Sequence, residues 1–187
     1  DSEKWRLYSA DLDQPLFNRA VLGLYPPGSS IKLITAIAAL QRGKVDKSWV
    51  VQCNGNYEFG DRSFGCWREE GHGKVNLSRA IVESCNIYFY QLVQKLDIDT
   101  LAQFARLFGF GELTGIDLPE ENSGLFADRD YMNKKYGKWG WAEGSLLHLS
   151  IGQGDVLVTP LQMASFISTL ATKGKRVQPR LVKDIEE

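Results

Sequence analysis

The chain has 187 residues, which at roughly 100–200 residues per domain is one domain or part of one. Its 43% apolar and 24% charged residues are ordinary globular values, which exclude a disordered or fibrous chain. The 22 basic and 23 acidic residues give a net charge of −1, so no overall field attracts nucleic acid, and no apolar run approaches the ~20 residues that cross a bilayer.

The first marked element is a helix that follows a rigid turn at residues 25–28. It extends from Ser29 to Arg42 and is predicted to end at Gly43, a residue type common just after a helix. Residues 33–40 are apolar on nearly every face, whereas a surface helix carries a single apolar stripe. This pattern predicts a helix at the centre of the fold.

The next segment, residues 44–76, is rich in Gly, Asn, Asp and aromatic residues and has no sustained period. We expect an irregular excursion with short β-like pieces. A helical pattern resumes over residues 77–93. Ser and Asn side chains compete with helix hydrogen bonding, so we expect a break at Ser84–Asn86.

Two further helices are marked by their ends. One covers Asp99–Leu107, and another begins at the N-cap Thr159 and runs from Pro160 through Ala171. The tail from Arg176 to Asp184 is compatible with one strand. Because alternating β-runs sufficient for a sheet are missing, the predicted fold class is mainly α with few short strands.

Ser29 and Lys32 form the first candidate pair for chemistry. A serine at the opening of a helix lies near unpaired backbone N–H groups, which stabilise an alkoxide or a tetrahedral oxyanion. A lysine one turn later lies on the same face and can take the serine proton if a desolvated site lowers its pKa. A simple N-cap serine is the alternative interpretation. The wholly apolar helix around the single lysine favours a nucleophile and its base.

Ser84 and Asn86 form the second candidate pair. If the helix breaks there, the Ser84 hydroxyl can shuttle a proton and the Asn86 amide can hold a substrate amide. An ordinary polar interruption between two helices explains the same residues, and spacing alone does not separate the two interpretations.

Five blocks, taken in chain order, make the pattern specific. They are Tyr25–Lys32, Cys66–Leu77, Ala80–Tyr90, Ser150–Gly154 and Thr159–Gln162. Together they resemble the transpeptidase domain of class B penicillin-binding proteins, and within that family the elongation-type branch, penicillin-binding protein 2.

The resemblance implies a role for each candidate residue. Ser29 resembles the acylated nucleophile, Lys32 its proton acceptor, Ser84 the proton relay and Asn86 the substrate clamp. The implied reaction is peptidoglycan D,D-transpeptidation in cell elongation and shape, with peptidoglycan stem peptides as substrates and β-lactam antibiotics as acylating inhibitors. The implied location is the periplasmic face of the inner membrane. There the parent protein, anchored by a segment absent here, would meet other membrane proteins of the elongation complex.

The sequence also departs from the family pattern. The third motif, Lys-Ser/Thr-Gly on a strand, is absent, because Thr172–Gly174 has the wrong residue order. The strands that precede the serine helix in the family are also missing. We therefore expect residues 1–187 to be a partial, truncated transpeptidase domain. It would be the helical portion of an α/β fold, with weak acylation or none.

A second kind of site is indicated by Cys53, Cys66, His72 and Cys85, which include every cysteine of the chain. Three thiolates and an imidazole are the ligand set of a closed, structural zinc site, which would hold the irregular segment 44–76 in place. The alternatives are a Cys53–Cys66 disulfide, which the family's periplasmic setting permits, and three buried thiols.

Two other functions compete with the transpeptidase. The first is a non-catalytic, zinc-stapled helical module used for interaction or structure. The second is a serine β-lactamase, which the sequence disfavours because no residue is recognisable as a deacylating base. Trp139 and Trp141 lie in a Gly-rich stretch, where they line a peptide groove or serve as packing anchors.

Overall fold

The computed structural model describes residues 2–183. The helices in this part of the chain are α1 (Ser2–Ala10), a 3-10 helix (Gly28–Ile31), α2 (Lys32–Gln41), α3 (Leu77–Val82), α4 (Asn86–Val93), α5 (Ile98–Leu107), α6 (Arg129–Tyr136), α7 (Gly144–Ser150) and α8 (Pro160–Ala171). The strands are β1 (Val50–Cys53), β2 (Asn56–Phe59), β3 (Arg62–Gly65), β4 (Gly73–Asn76), β5 (Leu125–Phe126) and β6 (Val156–Leu157). The predicted fold class, mainly α with few short strands, is confirmed.

Helices α2 and α4 form the centre of the fold. Helix α2 packs against α4 and α5, and α4 also contacts α7 and the strand β1. The apolar residues of both helices are largely buried, among them Ile34, Tyr88 and Phe89. The predicted central position of the helix after Ser29 is therefore confirmed, since burial on several sides requires the all-round apolar pattern.

The segment 44–76 is more regular than its sequence predicts. Strands β1 and β4 pair antiparallel from Val50↔Asn76 to Cys53↔Gly73, and β2 pairs with β3 in a hairpin between them. The predicted short β-like pieces are present as four-residue strands. Their pairing was not predicted, because pairing between residues 20 or more positions apart leaves no local periodicity in the sequence. Residues 176–183 form no strand, and Asp184 lies outside the described residues.

The predicted helix break is present between α3 and α4. Helix α3 ends at Val82, Ser84 has a positive φ of 50°, and α4 begins at Asn86. The Cys85 N–H still donates to the Ala80 carbonyl at 2.9 Å, so the turn stays compact. The predicted cap of α8 is also present, because Thr159 and Gln162 bond each other's backbone N–H groups.

No helix within residues 2–183 is both long and apolar enough to cross a membrane.

The turn before Ser29 rests on the loop that follows α7. The Gly28 N–H donates to the Gly152 carbonyl at 3.0 Å. Gly152 has a φ of +71°, and a Cβ at that position would lie 2.2 Å from the Gly28 carbonyl oxygen. Only glycine fits this backbone contact, which supports the first turn of the serine helix.

We predict that Gly152→Ala lowers the free energy of unfolding by at least about 3 kcal/mol, because it combines a positive φ with a backbone clash. Gly43 is the matched control, since it has a φ of +61° and an added Cβ there would meet nothing within 4 Å. Gly43→Ala should cost about 1 kcal/mol. Urea denaturation measures both, and equal losses in the two variants would contradict the close contact.

Candidate active site and metal centre

The side chain of Lys32 lies at the first turn of α2 and is only 3% exposed. Its Nζ donates to the Ser84 carbonyl at 2.8 Å, the Ser84 Oγ at 2.9 Å and the Asn86 Oδ1 at 2.6 Å. The same Nζ lies 5.6 Å from the centre of the Phe89 ring, where an ammonium group is attracted to the aromatic face. The lysine thus joins the start of α2 to the α3–α4 turn.

Burial changes the ionisation of this lysine. It lowers the pKa of Lys32 to about 8, although the nearby sulfurs of Cys66 and Cys85 act in the opposite direction. An ordinary lysine has a pKa near 10.4 and is almost fully protonated at neutral pH. With a pKa of about 8, a larger fraction of Lys32 is neutral and able to accept a proton.

The Ser84 hydroxyl lies between the lysine and the exposed Ser29. Its Oγ lies 2.9 Å from the Ser29 Oγ and accepts a hydrogen bond from the Lys32 Nζ at 2.9 Å. Among residues 2–183, no hydrogen bond joins Ser29 to Lys32 directly. The sequence predicted Lys32 as the proton acceptor and Ser84 as a relay, and in the structure the connection from Ser29 to Lys32 passes through Ser84.

The Asn86 side chain uses both ends of its amide. Its Oδ1 accepts a hydrogen bond from Lys32, and its Nδ2 points toward the carbonyl of Gly65 at 3.4 Å. The same carbonyl accepts a hydrogen bond from the Tyr90 hydroxyl at 3.5 Å. Asn86 is therefore held in one orientation beside Ser84. Sequence reasoning missed Gly65 and Tyr90, because no local pattern relates the end of β3 to the buried face of α4.

The four predicted residues Ser29, Lys32, Ser84 and Asn86 thus form one hydrogen-bonded group at the surface of the domain. A hydroxyl that is open to solvent faces a second hydroxyl, which faces a buried amine of lowered pKa. This arrangement can move a proton from the outer hydroxyl inward and return it, as nucleophilic catalysis by serine requires.

Cys53, Cys66, His72 and Cys85 also come together. All four side chains are buried, and their ligand atoms lie within 4.8 Å of one another. The sulfurs of Cys53 and Cys66 each lie 3.5 Å from the His72 Nδ1. In a tetrahedral zinc site with Zn–S of ~2.3 Å and Zn–N of ~2.0 Å, sulfur and nitrogen are about 3.5 Å apart, so these residues fit zinc.

The pKa shifts of His72, Cys66 and Cys85 bear on the binding of the same ion. Burial lowers the pKa of His72, which keeps the imidazole neutral. Burial opposes ionisation of Cys66, but backbone N–H groups of Arg68, Asn86 and Ile87 outweigh it and lower the thiol pKa. Burial raises the pKa of Cys85 to about 12, so this thiol requires a cation to lose its proton. The three cysteines are free, so the alternative of a Cys53–Cys66 disulfide is not formed in this structure.

The remaining marked residues lie outside this group. Thr172–Gly174 forms the turn that ends α8 and lies on no strand. Trp141 is partly buried, donates from Nε1 to the Asn133 side chain at 2.9 Å and packs against the core, whereas Trp139 is 90% exposed.

Comparison with known proteins identifies the family of the chain. Residues 2–187 match the family model of the penicillin binding protein transpeptidase domain. The chain is 42% identical over 176 residues to the peptidoglycan D,D-transpeptidase MrdA of Acinetobacter baumannii, covering 92% of the chain and 26% of that protein. The chain belongs to the transpeptidase domain of PBP2/MrdA-type class B penicillin-binding proteins.

Solved structures of this family have the same fold. The Pseudomonas aeruginosa PBP2 structure in complex with WCK 5153 superimposes with a TM-score of 0.91 at 37% identity, covering 98% of this chain and 40% of that one. PBP2 in its complex with MreC from Helicobacter pylori gives a TM-score of 0.89 at 36% identity, covering 96% and 34%. The chain thus spans well under half the length of the relatives it matches.

We predict that Lys32 makes the stability of the domain depend on pH between about 8, its folded pKa, and 10.5, its ordinary value. In this window the unfolded chain binds the proton that the folded chain has lost, so this contribution to the free energy of unfolding rises with pH. Below pH 8 it is constant. The measurement is urea denaturation of the unsubstituted protein and of Lys32→Met at several pH values. The difference between their free energies of unfolding isolates the contribution of Lys32. A difference that is flat from pH 8 to 10.5 would contradict the lowered pKa.

Proposed function

We propose that the chain carries the nucleophile and proton-transfer residues of a peptidoglycan D,D-transpeptidase of cell-wall elongation. The single observation that supports this most strongly is the chain of contacts from the Ser29 Oγ through the Ser84 Oγ to the Nζ of buried Lys32. The MrdA relative is named for the same reaction.

In the proposed acylation, the Ser29 Oγ attacks the carbonyl of the penultimate D-Ala of a stem peptide. Its proton passes through the Ser84 hydroxyl to neutral Lys32, and the terminal D-Ala leaves after taking a proton back from the lysine. Asn86 holds the peptide by donating the second N–H of Nδ2 to a peptide carbonyl, since Oδ1 is bound by Lys32 and the first N–H points toward Gly65. An amine of a neighbouring stem peptide then attacks the ester, which forms the cross-link and frees Ser29.

The proposed partners follow from this reaction. Stem peptides of peptidoglycan are the substrates, and β-lactams acylate Ser29 because their ring carbonyl mimics the scissile amide. The structure of PBP2 with MreC from Helicobacter pylori supports a place among elongation proteins for the protein that carries this chain. Such a protein would act at the periplasmic face of the inner membrane, where peptidoglycan is assembled.

The test is covalent labelling with a fluorescent penicillin, followed by mass spectrometry of the labelled peptide. We expect one adduct on Ser29, complete loss of labelling in Ser29→Ala, and unchanged labelling in Ser30→Ala, a neighbouring serine outside the hydrogen-bonded group. Ser84→Ala should slow labelling by about 100-fold or more, since a positioned acid–base group contributes ~10²–10⁴-fold.

Labelling should be measured on this chain and on the full-length protein. A folded, zinc-loaded full-length protein that takes up no penicillin would contradict the transpeptidase and favour the non-catalytic zinc-stapled module.

We also propose that Cys53, Cys66, His72 and Cys85 bind a structural zinc ion. The support is the set of four buried ligands and the 3.5 Å spacings from both sulfurs to the His72 Nδ1. Bound zinc would supply folding free energy by holding β1, β4 and the α3–α4 turn together.

For the zinc proposal we predict one zinc ion per chain by elemental analysis and a lowered melting temperature after chelation. His72→Ala should lose the metal. His148→Ala is the matched control, because these are the two histidines of the chain and His148 packs its ring against Phe64 instead. Equal zinc content in both variants, or none in the parent protein, would contradict the site.

A further inference from the structure

Two cavities lie side by side next to the β2–β3 hairpin. The larger, of about 480 Å³, is within the ~300–1,000 Å³ range of small-ligand sites, and the smaller is about 140 Å³. Phe59 and Glu143 line both, so the two cavities form one groove, which we call the hairpin groove. Its larger part is lined by, among others, Phe59, Arg129, Lys138, Trp139, Trp141 and Glu143.

The two tryptophans of the hairpin groove differ in exposure and in the contacts that hold them. Trp141 is fixed by its bond to Asn133 and by the Arg129 guanidinium 5.8 Å from its ring centre. Trp139, in contrast, is 90% exposed and has only Lys138 near its ring. An indole left in water beside a preformed cavity costs free energy that a ligand stacked on it would recover.

The polar groups of the groove are free for a ligand. Within residues 2–183, the carboxylate of Glu143 has no hydrogen-bond or ion-pair partner, and the Lys138 ammonium contacts only the Trp139 ring. Flat aromatic rings flanked by free charged groups of both signs suit a neutral ring compound with apolar C–H faces and polar edges. A pyranose sugar with an N-acetyl group has these properties, since its hydroxyl and amide groups can bond to Glu143 and Lys138, which an apolar ligand cannot do.

The groove is connected to the active site. The centres of the Phe59 and Phe64 rings are 6.5 Å apart, and those of the Phe64 and Tyr90 rings are 5.7 Å apart. The Tyr90 hydroxyl and the Asn86 amide both meet the Gly65 carbonyl. Phe59 pairs with Arg62, so the hairpin groove lies at the turn end of the hairpin, whereas Asn86 meets the opposite end at Gly65. A group attached to a peptide clamped at Asn86 would reach the groove where that peptide runs along β3.

We infer that the hairpin groove binds an N-acetylated amino sugar of the glycan strand that carries the substrate peptide. This inference rests on the proposed transpeptidase function, because that function supplies a peptide attached to such a sugar. Trp139 would stack on the C–H face of the ring, and Glu143 and Lys138 would bond its polar edge.

The test uses a tetramer of N-acetylglucosamine as the probe and the shift of the Trp141 indole N–H in NMR as the readout. We expect Trp139→Ala to weaken binding by about tenfold, the effect of one aromatic contact of ordinary strength. Trp5→Ala is the matched control, because Trp5 is 64% exposed on α1 and lines neither cavity. Penicillin labelling should be the same in all three proteins.

Several outcomes would overturn the inference. They are no shift of the parent protein at about 10 mM tetramer, equal affinity in Trp139→Ala, or the same indole shift with a stem peptide that has no sugar. Failure of the proposed function is a separate result. If penicillin labelling is absent in the full-length protein while the tetramer still binds through Trp139, the transpeptidase is contradicted and the sugar site is supported.

Discussion

The ammonium group of Lys32 lies inside the domain and donates to three acceptors, all of which belong to Ser84 or Asn86. A buried charge without such partners is very costly, so the α3–α4 turn cannot move away from α2 without a large loss of free energy. The same contacts place the Ser84 hydroxyl beside Ser29. One electrostatic requirement therefore fixes both the packing of the two central helices and the order of groups along which a proton can move.

The α3–α4 turn is held from its other side by sulfur. Cys85 is buried between the two residues that bind Lys32, and its side chain belongs to the group of four metal-ligand candidates. The backbone N–H groups of Asn86 and Ile87 at the start of α4 lower the pKa of the Cys66 thiol. Because Ser84 has a positive φ, which costs a non-glycine residue of order 1 kcal/mol or more, these contacts on both sides explain how the turn persists.

Sequence reasoning predicted the parts of this arrangement that are local. Capping residues located the start of α8, the all-round apolar pattern placed α2 at the centre, and polar residues indicated the break at Ser84–Asn86. The resemblance to class B penicillin-binding proteins linked Ser29, Lys32, Ser84 and Asn86. The sequence did not predict the pairing of β1 with β4, the contacts of the Gly65 carbonyl, or the hairpin groove, since these depend on contacts between distant residues that leave no periodic trace.

Gly65 shows why the strands of segment 44–76 matter to the chemistry although they carry no catalytic group. Its carbonyl meets both Asn86 and Tyr90, and its strand pairs with β2, which ends at Phe59 in the hairpin groove. Strands β1 and β4 flank this hairpin in the sequence. Cys53 is the last residue of β1, and His72 directly precedes β4. A displacement of the four metal-ligand candidates would therefore shift the hairpin and, through Gly65, the side-chain amide of Asn86. The two short ladders thus connect three regions that are far apart in the sequence, and this explains why so long an excursion stays ordered without a core of its own.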